Sequence, residues 1–212
     1  MSAVVAFVSQ KGGVGKSTLA RALAREAASS GLTVKIADLD ADQTTIVDWH
    51  KERVRRGHEP SLSVELFGSL EKALEASNNL DLLVLDAPAK ASRQTLEIAK
   101  IVQLLIQPTG ASRDDLIPAI RVFHGLIKNG VGPSRLVFAL NHIGTEGEER
   151  AAREYIEEAG YSALPGFLPE RPAYRLAQNE GLAITETRFQ TLKERADTLI
   201  QALIDKVSGE EA

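Results

Sequence analysis

Short apolar runs alternate with amphipathic segments along the whole chain. A parallel sheet covered by helices produces this alternation, because its strands are buried on both faces and a helix connects each strand to the next. The pattern predicts an α/β fold with a mostly parallel sheet and helices on both of its faces. The predicted strands are Val4–Ser9, Thr33–Asp38, Ser63–Phe67, Leu80–Asp86, Ile101–Gln107, Arg135–Asn141 and, from a weaker pattern, Tyr161–Leu164.

Helical periodicity fills the intervals between these runs. The predicted helices include 18–30, Leu70–Ala76, Leu116–Lys128 and Glu148–Ala159, and the C-cap positions hold Gly31, Gly130 and Gly160. Near the end of the chain, an apolar stripe predicts a helix packed on the core, with Ala196, Leu199, Ile200, Leu203, Ile204 and Val207. Acidic and basic residues are balanced on the other face of this helix, which disfavours binding to an anionic membrane surface.

Composition limits the possible functions without naming one. The chain has 212 residues, of which 43% are hydrophobic, and we expect one domain over residues 1–207 with a frayed tail at 208–212. It has no cysteine, which excludes disulfides and cysteine-ligated metal clusters. No segment resembles a signal peptide or approaches ~18 apolar residues, so we expect a cytoplasmic protein without membrane contact. With a net charge of -4, nucleic-acid binding would require a local basic patch.

A glycine-rich turn follows the first apolar run and precedes a predicted helix. Glycines let backbone N–H groups approach phosphate oxygens, and the start of the helix attracts the same anion. This order of strand, loop and helix is typical of a phosphate-binding loop, although a glycine turn with a solvated lysine has a similar sequence. We expect Lys16 to contact the β- and γ-phosphates and Ser17 to ligate Mg²⁺. The predicted nucleotide-binding residues are Gly12, Gly13, Val14, Gly15, Lys16, Ser17 and Thr18.

The loop departs from the general phosphate-binding pattern at its start. Gln10 stands where the pattern has its first glycine, and a second lysine, Lys11, follows it. With K-G-G-x-G-K-[ST] intact over residues 11–17, the sequence resembles the deviant Walker A class, the ParA/MinD family of ATPases. The resemblance implies that Lys11 reaches across a dimer interface to the partner's nucleotide and acts in catalysis together with Lys16. From the residues alone, Lys11 could equally be a solvated loop lysine.

Acidic residues follow two of the predicted strands, and the carboxyl ends of strands in a parallel sheet face the ligand crevice. Asp38 and Asp40 follow the second strand, where two carboxylates near phosphate are costly unless they serve a metal or orient water. Asp86 ends the fourth strand in the Walker B arrangement, which delivers a carboxylate to the Mg²⁺ shell. We therefore expect Ser17, Asp38 and Asp86 near the metal.

The family resemblance implies a catalytic role for Asp40. Members carry D-x-D-P-Q at this point, and the second aspartate orients and activates the water that attacks the γ-phosphate. This chain reads Asp40-Ala41-Asp42-Gln43, without the proline. The sequence leaves open whether Asp42 or Gln43 takes the part of the family's glutamine.

Base recognition is predicted less specifically. The resemblance implies nucleoside contacts from Pro108 and from Asn141, whose amide has the donor and the acceptor that the adenine edge requires. A lone asparagine is more commonly a turn former. The stretch 168–174 and Gly181 resemble the family's late loop, which walls the nucleotide or the dimer contact.

The segment His50–His58 is locally basic, with four Lys or Arg residues against one Glu. It is either a solvated helix face or a patch for a phosphate backbone. We expect Trp49 beside it to pack in the core or an interface rather than to stack on bases. The histidines have no ligand spacing with one another and predict no metal site.

The residues and the resemblance together indicate a P-loop ATPase that uses ATP and Mg²⁺. The resemblance implies a compact ParA-type partition protein that forms a homodimer on binding ATP and binds DNA without sequence preference, which would associate it with the nucleoid. It also implies that a centromere-binding or other partner protein stimulates hydrolysis. Two alternatives stay open: an ATPase that positions another cargo or assists conjugation, and a small-molecule ligase or kinase that uses the same loop.

Overall fold

A computed structural model describes residues 2–89 and 93–209 and contains one six-stranded sheet. The strands are β1 (Ala3–Ser9), β2 (Val34–Asp38), β3 (Ser63–Leu66), β4 (Leu82–Ala89), β5 (Leu104–Thr109) and β6 (Leu136–Leu140). The α-helices are α1 (Lys16–Ser29), α2 (Thr45–Arg55), α3 (Leu70–Glu75), α4 (Arg93–Ile101), α5 (Arg113–Lys128), α6 (Glu146–Glu158), α7 (Pro172–Asn179) and α8 (Gln190–Ser208). Two short 3₁₀ helices span Pro133–Arg135 and Ile184–Glu186.

The strand order across the sheet is β3-β2-β4-β1-β5-β6, and every neighbouring pair is parallel. This confirms the predicted α/β fold with a parallel sheet. Because all strands run in one direction, their carboxyl ends meet at a single edge of the sheet, and β1, β2 and β4 lie side by side there. The loop after β1 and the acidic residues of β2 and β4 are therefore neighbours.

The two faces of the sheet bury different side chains. Along β1, Ala6 and Val8 contribute to the core covered by α3, α4, α5 and α6, whereas Val5 and Phe7 contribute to the core covered by α1 and α8. This alternation follows from the period of two in a strand. Both faces of the strand are buried, which explains why its sequence is continuously apolar rather than alternating.

Several predicted helix features are confirmed. The glycines at the predicted C-cap positions have left-handed φ angles, of 87° at Gly31 and Gly130 and 84° at Gly160. In α8, the apolar stripe packs on the core that includes α1, with Ala196, Leu199, Ile200 and Leu203 fully buried and Ile204 and Val207 partly so. Among the described residues, no helix combines the length and apolarity needed to cross a membrane.

The boundaries of the fifth strand differ from the prediction. Ile101 is the last residue of α4 rather than the first of a strand, and β5 begins at Leu104. The apolar run continues from the end of the helix through Val102, which is buried, so hydrophobicity alone does not mark the change of structure.

The predicted seventh strand at 161–164 is wrong. The chain makes a single bridge there, in which Phe138 donates to the Ser162 carbonyl (3.1 Å) and Leu164 donates to the Phe138 carbonyl (2.8 Å). Pro165 then has no N–H to continue the ladder, and Gly166, with φ at 77°, turns the chain away.

The predicted frayed tail begins too early. Ser208 still belongs to α8, and Gly209 ends the helix in a left-handed conformation (φ 78°). The remainder, 210–212, lies outside the described residues.

Candidate nucleotide-binding site

The glycine-rich loop joins β1 to α1 in a conformation that requires glycine at two positions. Gly13 and Gly15 have φ angles of 77° and 106°, in the region that residues with a side chain rarely adopt. At Gly15 a Cβ would also lie 2.0 Å from Nδ2 of Asn141. The loop therefore leads into α1, which begins at Lys16, with its backbone tightly packed against the end of β6.

A cavity of about 190 Å³ lies over the start of α1. The loop glycines, Lys16, Ser17 and Thr18 form one side, and Asp40, Gln43 and Thr45 from the segment after β2 form another, with Asp86 from β4 between them. The structure thus brings together the predicted phosphate-binding residues other than Val14 and two of the three predicted acidic residues, Asp40 and Asp86.

Asp86 and Asp38 lie beside each other because β4 and β2 are paired in register at these residues. The Ser17 hydroxyl donates to Oδ2 of Asp86 at 2.6 Å. Oδ1 of Asp86 and Oδ2 of Asp38 are buried, and neither has a hydrogen-bond partner among the described residues. Buried carboxylate oxygens of this kind are costly to leave unpaired, and they indicate a ligand.

Burial accounts for the electrostatics of both carboxyls. It raises the pKa of Asp86 to about 6, against the hydrogen bond from Ser17 and the charge of Lys16. Burial also raises the pKa of Asp38 above its ordinary value. Each carboxylate is therefore more costly to ionise than it would be in water, and a cation placed between them would offset that cost.

This arrangement fits Mg²⁺. Mg²⁺ prefers oxygen ligands and in phosphate sites is held by few protein groups, the rest being water and phosphate. The Ser17 hydroxyl and the unpaired Asp86 oxygen match that requirement, with Asp38 adjacent. In the described part of the chain, no group of three or more His, Cys, Asp or Glu side chains could form a metal site from protein ligands alone.

Asp40 lies at the start of the segment that connects β2 to α2. Its N–H donates to Oδ1 of Asp38 at 2.9 Å, and its carbonyl accepts from the N–H groups of Gln43 and Thr44 at 3.3 and 3.1 Å. These bonds fold 40–44 into a turn that directs Gln43 to the cavity wall. Asp42 is exposed and is outside that wall as the described residues form it.

The two lysines of the loop have different environments. Lys16 is 8% exposed and lines the cavity. The Lys11 side chain is 57% exposed and forms an ion pair with Asp115 at the start of α5. That hydrogen bond raises the pKa of Lys11. Lys11 is therefore not among the residues that line this cavity, and it lines a separate depression between the loop and residues 110–112.

Sequence reasoning missed Arg21, which lines the same cavity and is 7% exposed. Its guanidinium donates to Gln178 Oε1 on α7 at 2.9 Å and to the Thr45 carbonyl at 2.6 Å. Burial lowers its pKa to about 10. The spacing of four residues from Ser17 places Arg21 one helical turn behind it on the same face, which is the signal that could have identified it. Thr18 Oγ1 also donates to Gln178 Oε1, at 3.1 Å.

The predicted nucleoside-binding residues lie on the other side of the loop. A depression of about 460 Å³ separates the loop from residues 110–112 and from His142. Asn141 is buried beside it, and its Nδ2 donates to the Val14 carbonyl at 2.7 Å. Pro108 is buried within β5 opposite Ala139 of β6. Of the late loop, Glu170 lines this depression, whereas the Cβ position of Gly181 lies 2.4 Å from the backbone nitrogen of Arg53.

The basic segment His50–His58 is mostly a solvated helix face, with one buried exception. Arg53 is 1% exposed and forms an ion pair with Glu186 at 2.7 Å. The other three cations pair on the surface, Lys51 with Asp48 and both Arg55 and Arg56 with Glu52. Trp49 is buried and donates to the Leu182 carbonyl at 3.1 Å, which confirms the predicted packing role.

Comparison with known proteins identifies the family of this chain. The family model of the CobQ/CobB/MinD/ParA nucleotide binding domain matches residues 5–184. Maintenance of carboxysome distribution protein A from Gloeobacter kilaueensis is 28% identical over 192 residues, which cover 90% of this chain and 88% of that protein.

Solved structures show the same fold. The septum site-determining protein MinD from Pyrococcus horikoshii, complexed with Mg-ADP, has a TM-score of 0.76 at 19% identity, covering 100% of this chain and 99% of that one. An ATP complex of McdA from Cyanothece has a TM-score of 0.73 at 17% identity, covering 95% and 96%. The chain belongs to the CobQ/CobB/MinD/ParA family of nucleotide binding domains.

Proposed function

We propose that this protein is a Mg²⁺-dependent ATPase of the partition and positioning type, which ATP switches between a monomer and a dimer. The observation that carries the proposal is the convergence of Lys16, Ser17 and Asp86 in one cavity at the loop, with Asp38 beside Asp86 on the neighbouring strand and one oxygen of each carboxylate unpaired among the described residues. A phosphate chain and a divalent cation satisfy all of these groups at once. The Mg-ADP and ATP present in the related MinD and McdA structures support the choice of ligand.

Each residue has a distinct part in the proposed reaction. The loop N–H groups and Lys16 bind the β- and γ-phosphates, and Ser17 and Asp86 would hold Mg²⁺ with Asp38 beside them. The metal, when bound, neutralises charge on the phosphate oxygens. Asp40 orients the water whose oxygen attacks the γ-phosphorus, while the bond to the ADP oxygen breaks. Gln43 is a better candidate than Asp42 for the part of the family's glutamine, because Gln43 lines the cavity.

Lys11 supports the dimer. It is exposed, it is outside the lining of the phosphate cavity of its own chain, and one bound nucleotide already has Lys16. In a dimer, the Lys11 ammonium of one chain could therefore contact the phosphate bound to the other chain. Its ion pair with Asp115 would be exchanged for that contact at little cost, since water screens an exposed ion pair.

Two kinds of cargo are proposed for this ATPase, DNA and a non-DNA assembly. Partition of a plasmid or chromosome, with nonspecific DNA binding in the ATP state and a centromere-binding or other activating partner, follows from the resemblance. The ion pairs within His50–His58 leave little free positive charge there, so DNA binding would need another surface. Positioning of a different cargo is favoured by the relative named for carboxysome distribution. Conjugation ATPases and small-molecule ligases or kinases with this loop remain alternatives.

The proposal is tested by measuring Mg-ATP binding and phosphate release for the wild type, Lys16→Ala and Asp40→Ala. Lys16→Ala should weaken ATP binding at least ~100-fold, because it removes a charge-assisted contact in a buried site. Asp40→Ala should bind ATP and release phosphate at least ~10-fold more slowly. Lys72→Ala on α3, an exposed lysine, is the matched control. Wild-type protein that does not bind ATP, or a Lys16→Ala variant that binds it normally, would contradict the proposal.

A second assay separates the cargo classes. Cosedimentation with nonspecific DNA is measured over a salt series, with ATP or ADP. If the protein acts on DNA, binding should depend on ATP and weaken steeply with added salt. An intact ATP switch without DNA binding would favour positioning on another partner. Turnover that depends on an added metabolite would instead favour a small-molecule enzyme.

A further inference from the structure

Two consecutive residues after β6 hold the middle of the phosphate loop. Nδ2 of Asn141 donates to the Val14 carbonyl at 2.7 Å, and Nε2 of His142 bonds the Gly13 carbonyl at 3.1 Å. The carbonyls of two successive loop residues are thus both held by side chains that directly follow β6.

The Asn141 side chain is itself fixed. It is 4% exposed, its Oδ1 accepts from the His142 N–H at 2.9 Å, and its backbone N–H donates to the Thr109 carbonyl at 2.9 Å. Both polar atoms of the amide are therefore already hydrogen-bonded within the protein. His142 completes the arrangement with a φ of 57°, a conformation that non-glycine residues rarely adopt. Such strain persists only where the surrounding structure enforces it, and it clusters at functional sites.

Peptide geometry links these bonds to phosphate binding. In a planar trans peptide, the carbonyl of one residue and the N–H of the next point in opposite directions. Fixing the carbonyls of Gly13 and Val14 toward β6 therefore turns the N–H groups of Val14 and Gly15 away from it. Within the described residues, neither N–H has a hydrogen-bond partner. Free N–H groups in a loop with alternating left-handed residues form an anion-binding concavity.

We propose that Asn141 and His142 are positioning residues for the phosphate loop, and that Asn141 serves the phosphates through the loop backbone rather than by reading the base. This rests on the proposed nucleotide-binding function and adds to it. The absence of a side chain at Gly15 is part of the same arrangement, because any Cβ there would displace Nδ2 of Asn141. The Nε2 atom of His142 must carry a proton to donate to a carbonyl, and a glutamine amide at this position offers a similar donor.

The experiment measures binding of Mg-ATP, Mg-GTP and inorganic tripolyphosphate by calorimetry. Tripolyphosphate has no base, so it reports the phosphate loop alone. Asn141→Ala should weaken binding of all three by about tenfold, with an unchanged ratio of ATP to GTP affinity, since it frees a buried loop carbonyl. His142 is exposed, so His142→Ala removes this contact without opening a cavity in the core, and it carries the test by itself with a loss of about threefold to fivefold for all three ligands. His142→Gln should restore most of that loss.

The matched control is Asn78→Ala, which removes an exposed side-chain hydrogen bond to the Glu75 carbonyl before β4, at the opposite edge of the sheet. Its affinities should equal those of the wild type. A loss confined to ATP, with tripolyphosphate binding intact, would overturn the inference and make Asn141 a base reader, and unchanged binding in His142→Ala would also overturn it. If the wild type binds ATP and Lys16→Ala does not, the proposed function stands whichever result the two positioning residues give. If the wild type binds none of the three ligands, both fail.

Discussion

Two buried polar clusters in this protein differ in how completely their hydrogen bonds are satisfied. The Arg53 cluster consists of Arg53, Glu186 and the carbonyls of residues 59, 60 and 181, and the guanidinium bonds all of them at 2.7–3.4 Å. The carboxylate cluster consists of Ser17, Asp38 and Asp86, and it leaves two buried carboxylate oxygens without a partner among the described residues.

The difference separates a structural cluster from a binding site. A buried charge that is paired and fully hydrogen-bonded fixes the packing of its neighbours, here α2 against the loop at Gly181. A buried carboxylate that lacks a partner makes the folded state less stable until a ligand supplies one. Removing a charge should therefore have opposite effects on stability in the two clusters.

The largest effect is expected in the Arg53 cluster. Arg53→Ala should lower the free energy of unfolding by about 3–5 kcal/mol, because three carbonyls would lose their donor and Glu186 would keep only its longer ion pair with Arg25, at 3.3 Å, among the described residues. Urea denaturation monitored by circular dichroism measures the change. Arg55→Ala, on the same helix but exposed and paired with Glu52, should leave the free energy of unfolding nearly unchanged. Equal effects of the two substitutions would remove the contrast between buried and surface arginines.

Asp86→Asn should change the free energy of unfolding in the opposite direction. Without ligand at pH 7 it should raise the free energy of unfolding by about 1–2 kcal/mol, because it removes a buried charge whose pKa burial raises to about 6. It should also abolish the dependence of nucleotide affinity on Mg²⁺. The same denaturation assay and a Mg²⁺ titration measure the two effects. Asp81→Asn, an exposed aspartate that accepts from the Thr33 N–H before β4, should give no stabilisation.

The pH dependence of this effect has a defined sign. Because the pKa of Asp86 in the folded protein lies above its ordinary value of 3.8, the folded state binds more protons than the unfolded chain between about pH 4 and pH 6. Its contribution therefore lowers stability as pH rises through that interval and is constant above it. In Asp86→Asn this component should disappear, and an unchanged pH profile would contradict the assignment of a buried, ligand-free carboxylate.

The smallest effect is expected at Gln178, which links α7 to the site. Gln178→Ala should lower the free energy of unfolding by about 1 kcal/mol and weaken ATP binding by a few-fold, since Arg21 and Thr18 each lose one hydrogen bond. Calorimetry with Mg-ATP and the same denaturation assay measure both. Gln190→Ala, whose side chain bonds Glu194 on the surface of α8, is the matched control and should leave ATP affinity unchanged.

Local sequence predicted the parallel sheet and the phosphate loop, because strand hydrophobicity, glycine spacing and the order of strand, loop and helix are all short-range signals. It also predicted that Asp86 lies at the end of a buried strand beside this loop, because Asp86 directly follows an apolar run. It could not predict the burial of Arg53, whose neighbours form an ordinary charged helix face and whose partner Glu186 lies 133 residues away. Arg21 differs, because its spacing of four residues from Ser17 is a short-range signal that could have placed it at the site, whereas its partner Gln178, 157 residues away, could not be predicted. The false strand at 161–164 reflects a propensity that a following proline and glycine overrule.

The central claim, an ATP-switched dimer, is tested most directly by sedimentation velocity on the slow-hydrolysing Asp40→Ala variant with Mg-ATP or Mg-ADP. The account predicts a dimer with ATP, a monomer with ADP, and a monomer that still binds ATP when Lys11→Ala is added. A Lys11→Ala protein that dimerises with ATP, or an ATP-bound Asp40→Ala protein that remains a monomer, would contradict it.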